Sequence, residues 1–374
     1  MVPQVLILGG QGRIGSSIAR DLVQHTGAQV VVTRRRRSVP DVPDTLDLPT
    51  TTNRVTAKSL DLADQMALDQ AIAQADLVIH CAGPFHHRDG RVLKACIQRG
   101  VSYLDVSDCV PFTRRALALH EAAKRAEVTA IVNTGVFPGV SNSMARQCVE
   151  AFNAVDDQPA DLFLGYVVGG SGGAGVTVMR TTFLGLLRPF KAWVDGQWQE
   201  RWPYRDRQVI DFPKPFGPTG VYWFEVPETC TLVDSLPVQT VVTKFGSAPD
   251  LYNRLTHLVA RWCPPTLLQR PAAVEFLSQV SYRMTQVTDR WSGTGIGIWA
   301  EAIGQSGRRY RSVLLHDDAA IAAGVGTGSL AQLVLSGELA QPGVNPVERA
   351  LPTCLFRRIT QSRGLHLTHG WVDR

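Results

Sequence analysis

The chain has 374 residues, of which 44% are hydrophobic and 19% charged, and its formal net charge is +5. This is an ordinary soluble composition, and the chain is long enough for two domains. Basic and acidic residues are interleaved, which argues against nucleic-acid binding. The seven cysteines are dispersed without a C-x-x-C pair, which favours a reducing compartment over a disulfide framework or a zinc site.

The apolar segments are too short for a membrane span. No stretch of 18 uninterrupted apolar residues occurs, and no basic segment followed by a long apolar run precedes the first glycines. We therefore expect a soluble, cytoplasmic protein without a transmembrane segment.

The first stretch indicates a strand, a tight turn and a helix in succession. Residues 5–8 form an apolar run, after which apolar side chains recur at four-residue spacing. Gly10, Gly12 and Gly15 lie between them in the order G-x-G-x-x-G. The first glycine permits the turn, the second lets the backbone approach a pyrophosphate, and the third lets helix and strand pack closely. This pattern predicts a dinucleotide site at the helix N-terminus.

A second G-x-G-x-x-G match shows how weak the motif is by itself. It comprises Gly170, Gly172 and Gly175, and no parallel strand is predicted after it. The first match is followed by a strand-like run over residues 29–33, within the distance that a βαβ unit needs. We therefore assign the dinucleotide to the first match only.

Strand-like and helix-like segments alternate from residue 5 to residue 132. This alternation predicts a Rossmann domain, a doubly wound parallel α/β sheet, over residues 1–135. Gly27 and Gly100 are expected at helix ends with positive φ. Residues 38–52 contain three prolines without periodicity and are predicted to form a surface loop.

The pattern changes after residue 135. Asp195-Gly196 between aromatic flanks predicts a hairpin, and residues 294–303 and 308–316 form a long alternating pair. We predict an inserted α+β domain for substrate binding and dimerisation over residues 136–317. Residues 318–374 begin with a helix-like segment and are expected to pack back on the first domain.

The end of the second strand favours NADP(H) over NAD(H). In NAD-binding domains an acidic residue about twenty positions beyond the glycines binds the ribose 2′-OH. Here Thr33, Arg34 and Arg35 occupy this place without a carboxylate, and a guanidinium suits a 2′-phosphate. Arg13 in the glycine turn could add a second cation, or it could be a solvated helix-cap residue.

Further cofactor contacts are expected where other strands end. Ala82, Gly83 and Pro84 follow the fourth strand, at the carboxyl edge where ligands of doubly wound sheets bind, although a simple strand-to-loop break would look the same. Asp61 follows the third strand and is either close to the adenine or a helix cap. Gln11 and Ile14 complete the glycine turn.

The sequence does not single out a catalytic acid. Asp105, Asp108 and Cys109 lie at carboxyl strand ends, as do His86 and His87, but nothing pairs any of them with a specific proton. Asp108 is equally suited to cap the following helix. No metal site is expected, because the two histidines of the tail lack further ligands.

The chain resembles the saccharopine dehydrogenase (saccharopine reductase) family of NADP-dependent oxidoreductases. The resemblance implies a Rossmann domain, an inserted substrate domain whose sheet often forms a dimer interface, and a returning C-terminal helix. The residues that carry it are VLILGGQGRIGSSIA from position 5, ADLVIHCAGPF from 75, GVSYLDVSD from 100, GVFPGVSN from 135, GGSGGAG from 169 and SLAQLVLSGEL from 329.

Departures from the family pattern leave the substrate open. Saccharopine reductases carry an acidic residue before Pro-Gly and a histidine shortly after it, where this chain has Phe137 and Asn142. The YLDVSD run is closer to a lineage that includes lipid enoyl reductases. The resemblance therefore implies the fold and the cofactor but not an amino-acid substrate.

Together these features predict an NADPH-dependent reductase that transfers a hydride to a C=N or activated C=C bond of a small-molecule substrate. The alternative is a non-catalytic NADP(H)-sensing or assembly protein, which the missing family residues favour. A homodimer is expected from the resemblance and from aromatic residues that form either a hairpin core with a dimer interface or an apolar wall for a bulky substrate. They are Trp193, Trp198, Trp202, Tyr204, Phe212, Phe216, Tyr222, Trp223 and Phe224.

Overall fold

The computed structural model describes residues 2–34, 53–170, 176–292 and 294–372. The strands are β1 (Gln4–Leu8), β2 (Gln29–Arg34), β3 (Val55–Ser59), β4 (Leu77–His80), β5 (Ser102–Asp105), β6 (Thr129–Val132), β7 (Pro159–Gly169), β8 (Phe190–Val194), β9 (Gln197–Arg201), β10 (Gln208–Phe212), β11 (Gly217–Trp223), β12 (Thr240–Ala248), β13 (Gly295–Gly304), β14 (Arg309–His316), β15 (Gly343–Pro346) and β16 (Leu367–Trp371).

The helices alternate with the strands in the first third of the chain and are less regular later. They are α1 (Arg13–His25), α2 (Gln65–Ile72), α3 (Arg91–Arg99), α4 (Val110–Leu117), α5 (His120–Arg125), α6 (Val140–Glu150), α7 (Val176–Gly185), α8 (Glu228–Ser235), α9 (Asp250–Trp262), α10 (Pro265–Leu268), α11 (Pro271–Ser292), α12 (Ala319–Leu335), α13 (Val347–Ala350) and α14 (Thr353–Ser362). Single 3₁₀ turns span Phe85–His87 and Ala151–Ala154.

The chain divides into two compact units. One comprises Met1–Val140 and Ala320–Arg363, and the other comprises Ser141–Ala319 and Gly364–Arg374. The first contains a seven-stranded parallel sheet in the order β15-β6-β5-β4-β1-β2-β3. Strands β4 and β6 are buried throughout, as expected for a parallel sheet with both faces covered. This confirms the α/β fold class.

The second unit contains a mixed sheet in the order β10-β11-β12-β7-β13-β14-β16, with the β8–β9 hairpin beside β12. Strands β7 and β12 pair in parallel, whereas the other described pairs of this sheet are antiparallel. Asp195 and Gly196 connect β8 to β9 with positive φ at both positions, as a tight hairpin turn requires. The predicted hairpin is therefore present.

The two glycine caps had different outcomes. Gly100 ends α3 in the left-handed conformation with φ of 69°, as predicted. The positive φ predicted for Gly27 was wrong: α1 ends at His25, its C-cap is Thr26, and the Thr26 side chain and N–H both donate to the Leu22 carbonyl. A hydroxyl-capped end needs no positive φ.

The C-terminal segment differs from the prediction in two places. Residues 342–353 are rich in Pro and Gly, which predicts a loop, but Gly343–Pro346 forms β15 and pairs with β6 in the first sheet. The tail does not return as a whole to the first unit, because Leu367–Trp371 pairs with β14 in the second sheet. Short strands with glycine or polar residues carry little local pattern, so only the neighbouring edge strands reveal them.

Candidate functional site

The glycine turn lies between β1 and the N-terminus of α1. Gly12 occupies the N-cap position, and the helix begins at Arg13, so the first helical N–H groups point out of the turn. Gly12 and Arg13 are exposed, Gln11 and Ile14 are half-buried, and Gly15 is buried. This turn offers N–H groups and a positive dipole end to an anion.

Each glycine meets a different neighbour. A Cβ on Gly10 would lie 2.7 Å from Cβ of Val32, and one on Gly15 would lie 2.5 Å from the Gly9 carbonyl oxygen. These two glycines are therefore required by packing. A Cβ on Gly12 would meet only the Gly9 oxygen, at 3.3 Å. The exposed side of Gly12 is therefore open beside the N-terminus of α1.

The sheet order places this turn at a topological switch point. The chain runs from β1 outward to β2 and β3, and then returns to β4 on the other side of β1. The loops after β1 and β4 consequently leave the sheet side by side. A Cβ on Gly9 would lie 2.9 Å from the backbone nitrogen and Cα of Ala82. In doubly wound sheets, ligands bind in the crevice at this point.

The end of β2 carries a buried hydroxyl and an exposed cation. Thr33 is 2% exposed, and its Oγ1 accepts a hydrogen bond of 3.1 Å from the Gly9 N–H. Arg34 is the last residue of β2 and is exposed. Arg35 and the predicted loop at residues 38–52 lie outside the described residues. Asp61 forms a hydrogen bond within its own loop, because its Oδ1 accepts from the Ala63 N–H.

The loop after β4 is tied down by an arginine that the sequence did not single out. Gly83 and Pro84 are half-buried, and a Cβ on Gly83 would meet only ordinary contacts with Phe85. Arg88 Nε donates a 2.7 Å hydrogen bond to the Ala82 carbonyl. No sequence pattern marks such a residue, because these guanidinium hydrogen bonds go to the backbone carbonyls of Ala82 and Gly83.

Asp105 is the last residue of β5 and lies among buried hydrogen-bond donors. It is fully buried, and its Oδ1 accepts hydrogen bonds from the Ser107 hydroxyl, the Ser107 N–H and the Asn133 N–H at 2.6–3.0 Å. Burial raises the pKa of Asp105, and these hydrogen bonds oppose the rise. The carboxylate thereby connects the end of β5 to the end of β6.

Asp108 and Cys109 lie at the start of α4. The alternative role of Asp108 as a helix cap does not hold, since Cys109 is the N-cap residue of α4. Cys109 is 2% exposed and packs against Phe85 and Phe112. Asp108 is half-buried and lies near His86: burial lowers the pKa of His86, and the negative charge of Asp108 opposes this shift. Of the candidate groups, His86 and His87 are exposed and Asp108 is half-buried, whereas Asp105 and Cys109 are buried.

The aromatic residues of the second unit are mostly core. Phe190 and Trp223 pack in one buried cluster, and Tyr204 stacks on Tyr222 with ring centroids 5.1 Å apart. Trp198 and Trp202 remain exposed. This arrangement supports the hairpin-core interpretation for most of the run. Of the second glycine turn, residues 171–175 lie outside the described part of the chain.

Comparisons with known proteins find relatives of the first unit and of the whole chain. Residues 5–131 match the model of the saccharopine dehydrogenase NADP binding domain. Carboxynorspermidine synthase of Vibrio cholerae is 24% identical over 92% of this chain and 91% of its own length. The saccharopine dehydrogenase-like oxidoreductase of Homo sapiens is 34% identical over 24% of this chain, which is 21% of that protein. The chain is therefore similar to saccharopine dehydrogenase-like oxidoreductases, and the family model covers residues 5–131.

Solved structures share the fold of this chain over nearly its whole length. Apo saccharopine dehydrogenase (L-Glu forming) from Saccharomyces cerevisiae superimposes with a TM-score of 0.70 at 14% identity, covering 99% of this chain and all of that one. Homospermidine synthase from Legionella pneumophila, in complex with NAD, gives 0.66 at 10% identity and covers 100% and 92%. At these identities the likeness establishes the fold alone.

The two departures from the family pattern lie at the start of α6. Phe137 is half-buried, whereas Asn142 is fully buried, with its Nδ2 3.4 Å from the Thr231 hydroxyl. In the same region the Glu228 carboxylate accepts hydrogen bonds from Ser141 and Tyr166 at 2.8 and 3.0 Å. The second unit therefore presents a buried polar network where saccharopine reductases carry a histidine.

Neither a membrane helix nor a metal centre is found in the described ranges. No helix there is both long and apolar enough to cross a bilayer. Among the same residues, no three His, Cys, Asp or Glu side chains lie close enough together to hold a metal ion. His369, one of the two tail histidines, contacts the Tyr310 hydroxyl at 2.8 Å.

Proposed function

We propose that this protein is an NADPH-dependent reductase that transfers a hydride from the nicotinamide to a C=N or activated C=C bond of a small-molecule substrate. The observation that supports it most is the contact of the glycine turn with Ala82 at the switch point of a parallel sheet. The residues fit a dinucleotide, because the exposed side of Gly12 leaves room for a pyrophosphate beside the N-terminus of α1. The cofactor supplies the hydride when bound, and the protein supplies orientation and a proton.

The choice of NADP(H) depends on the two residues at the carboxyl end of β2. Thr33 is buried and bonded to the turn, so Arg34 is the first side chain of this edge that can reach a ligand from solvent. A guanidinium binds phosphate through paired donors, and no carboxylate stands at this strand end to bind a free 2′-hydroxyl. The family's NADP binding domain agrees with this choice, although the Legionella enzyme binds NAD.

Among the two bond types, the comparison favours C=N. The relative that matches over nearly the whole chain is named for making carboxynorspermidine, an amine. Forming a carbon–nitrogen single bond by hydride transfer passes through reduction of a C=N bond. A bulky apolar substrate remains the alternative, because Phe137 stands where saccharopine reductases carry an acidic residue.

The experiment is a cofactor titration followed by single-turnover oxidation of bound NADPH. Quenching of intrinsic fluorescence by NADPH tests binding, and a panel of imines, enones and polyprenoid compounds tests turnover. Oxidation that depends on one class of compound supports the reductase. Tight NADPH binding with no turnover across the panel supports the non-catalytic sensor. A protein that binds neither NADPH nor NADH contradicts both the reductase and the sensor.

We also propose that the protein is a cytoplasmic homodimer. The described part of the second unit exposes apolar side chains on one stripe of α9 and one stripe of α11: Leu251, Leu255, Leu258, Trp262, Phe276, Val280 and Val287. The Tyr252 hydroxyl donates a 2.9 Å hydrogen bond to the Met284 carbonyl and holds the two helices together. Soluble monomers rarely expose apolar patches of more than a few hundred Å².

A further inference from the structure

Arg88 folds back over the loop that follows β4. Its Nε donates to the Ala82 carbonyl at 2.7 Å, and its Nη2 lies 3.4 Å from the Gly83 carbonyl. The backbone of Arg88 is held as well, because its N–H donates to the Phe85 carbonyl and its own carbonyl accepts a 2.8 Å hydrogen bond from Arg115 of α4. The residue is half-buried and is held both at its guanidinium and at its backbone.

Ala82 is thereby held from two sides. One side contacts the glycine turn, since a Cβ on Gly9 would lie 2.9 Å from the Ala82 backbone. The other side receives the Arg88 guanidinium. A hydrogen bond from a charged donor to a backbone carbonyl is stronger than one between neutral groups, and it fixes the orientation of that peptide.

The electrostatics agree with this position. His80, the last residue of β4, is 1% exposed, and its pKa is lowered to about 3, first by burial and second by the positive charge of Arg88. The guanidinium is therefore close to the end of β4 and is not extended into solvent. Its charge acts on the same strand end whose loop it holds.

We propose that Arg88 is a positioning residue that orders the Ala82–Gly83 backbone against the glycine turn and so preforms the middle of the cofactor site. This inference depends on the proposed dinucleotide binding. Because Arg88 acts on the loop and not on the 2′-phosphate, its loss weakens NADPH and NADH alike. Arg34 acts on the phosphate, and its loss weakens NADPH selectively.

The test compares Kd values for NADPH and NADH in the full-length wild type and in Arg88→Ala, Arg88→Lys and Arg91→Ala. We expect Arg88→Ala to raise both constants roughly 10-fold, as loss of one charge-assisted hydrogen bond would. Lysine retains a donor for one carbonyl and should recover part of the affinity. Arg91 is the matched control, because its guanidinium pairs with exposed Asp89. The melting temperatures of the variants show whether the fold is intact.

Unchanged affinity in Arg88→Ala, an effect confined to NADPH, or an equal loss in Arg91→Ala would overturn the inference. If the alanine variant does not fold, Arg88→Lys decides: a smaller loss for both cofactors at the wild-type melting temperature supports positioning, and no loss contradicts it. A wild type that binds neither cofactor overturns the proposed function itself, and the inference with it. A wild type that binds while Arg88→Ala is unaffected overturns the inference alone.

Discussion

The carboxylate of Asp21 lies 3.3 Å from the guanidinium of Arg363, although 342 positions separate the two residues. Asp21 belongs to α1, and Arg363 also donates to Gln332 of α12. Gly328 of α12 permits this arrangement, because a Cβ there would lie 2.2 Å from Asp21 Oδ2. The helix that begins at the glycine turn is therefore anchored by the C-terminal segment.

This ion pair predicts a pH dependence of stability. Burial raises the pKa of Asp21 to about 6, while Arg363 and His25 oppose the rise. The native state thus retains a proton that the unfolded state, with a pKa of about 3.9, has lost. The contribution of Asp21 to stability is fully present below about pH 4 and is lost as the pH rises through about 6.

Asp21→Asn removes this dependence. We expect the unfolding free energy of the variant, relative to wild type, to improve by about 2 to 3 kcal/mol between pH 4 and pH 7.5. Urea unfolding at both pH values measures the difference, with Asp69→Asn of α2, whose carboxylate accepts from the Gln65 side chain, as the control. A difference that stays constant across this range would show that Asp21 is ionised throughout.

The glycine turn predicts two distinct defects. Gly12→Val should abolish cofactor binding with little change in melting temperature, because Gly12 has φ of −74° and ψ of 166°, which valine adopts readily, and its Cβ would be only slightly tight against Gly9. Gly15→Val should unfold or strongly destabilise the unit, because its Cβ would lie 2.5 Å from the Gly9 oxygen. Thermal melting and NADPH titration separate the two. Full NADPH affinity in Gly12→Val would remove the pyrophosphate assignment.

Cofactor selectivity should depend on the arginines after β2. The double variant Arg34→Ala, Arg35→Ala should bind NADPH roughly 10-fold to 150-fold more weakly, since charge-assisted hydrogen bonds of about 1.5 to 3 kcal/mol are lost. NADH binding should barely change, and the loss for NADPH should shrink as salt rises. Titrations of both cofactors at two ionic strengths measure this.

Arg54→Ala is the control for the arginine pair. Arg54 precedes β3 at the amino ends of the parallel strands, whereas Arg34 lies at the carboxyl end of β2. The Arg54 guanidinium donates to the Thr26 and Val23 carbonyls. Its loss should lower stability without altering the preference between cofactors. Equal weakening of NADPH and NADH in the double variant would mean that the arginines support the loop, and a wild-type preference for NADH would contradict the choice of NADP(H).

The apolar stripes on α9 and α11 predict self-association. Light scattering coupled to size-exclusion chromatography should give twice the 40.9 kDa chain mass at micromolar concentrations. Leu255→Lys and Phe276→Lys together should shift the protein toward the monomer, because a charge buried in an apolar interface lacks a partner. Met66→Lys, an exposed apolar position in the first unit, is the control. A wild-type monomer would contradict the homodimer.

Much of the first unit was determined by the sequence itself. Residues 5–8 and the three glycines after them predicted β1, the turn and α1, because a parallel sheet buried on both faces demands continuous apolar runs and because only glycine fits the contacts at Gly10 and Gly15. The sequence predicted the Asp195-Gly196 turn equally well, because positive φ at both positions restricts which residues can occupy them.

The tertiary structure alone decided the contacts that carry no local pattern. The hydrogen bonds of the candidate acid Asp105 with Ser107 and Asn133 are an example, because these partners lie beyond two different strands. Arg88 was overlooked because it bonds to backbone carbonyls, which every sequence provides. β15 and β16 were missed because an edge strand a few residues long is stabilised by the strand beside it, and its own sequence contributes little to that choice.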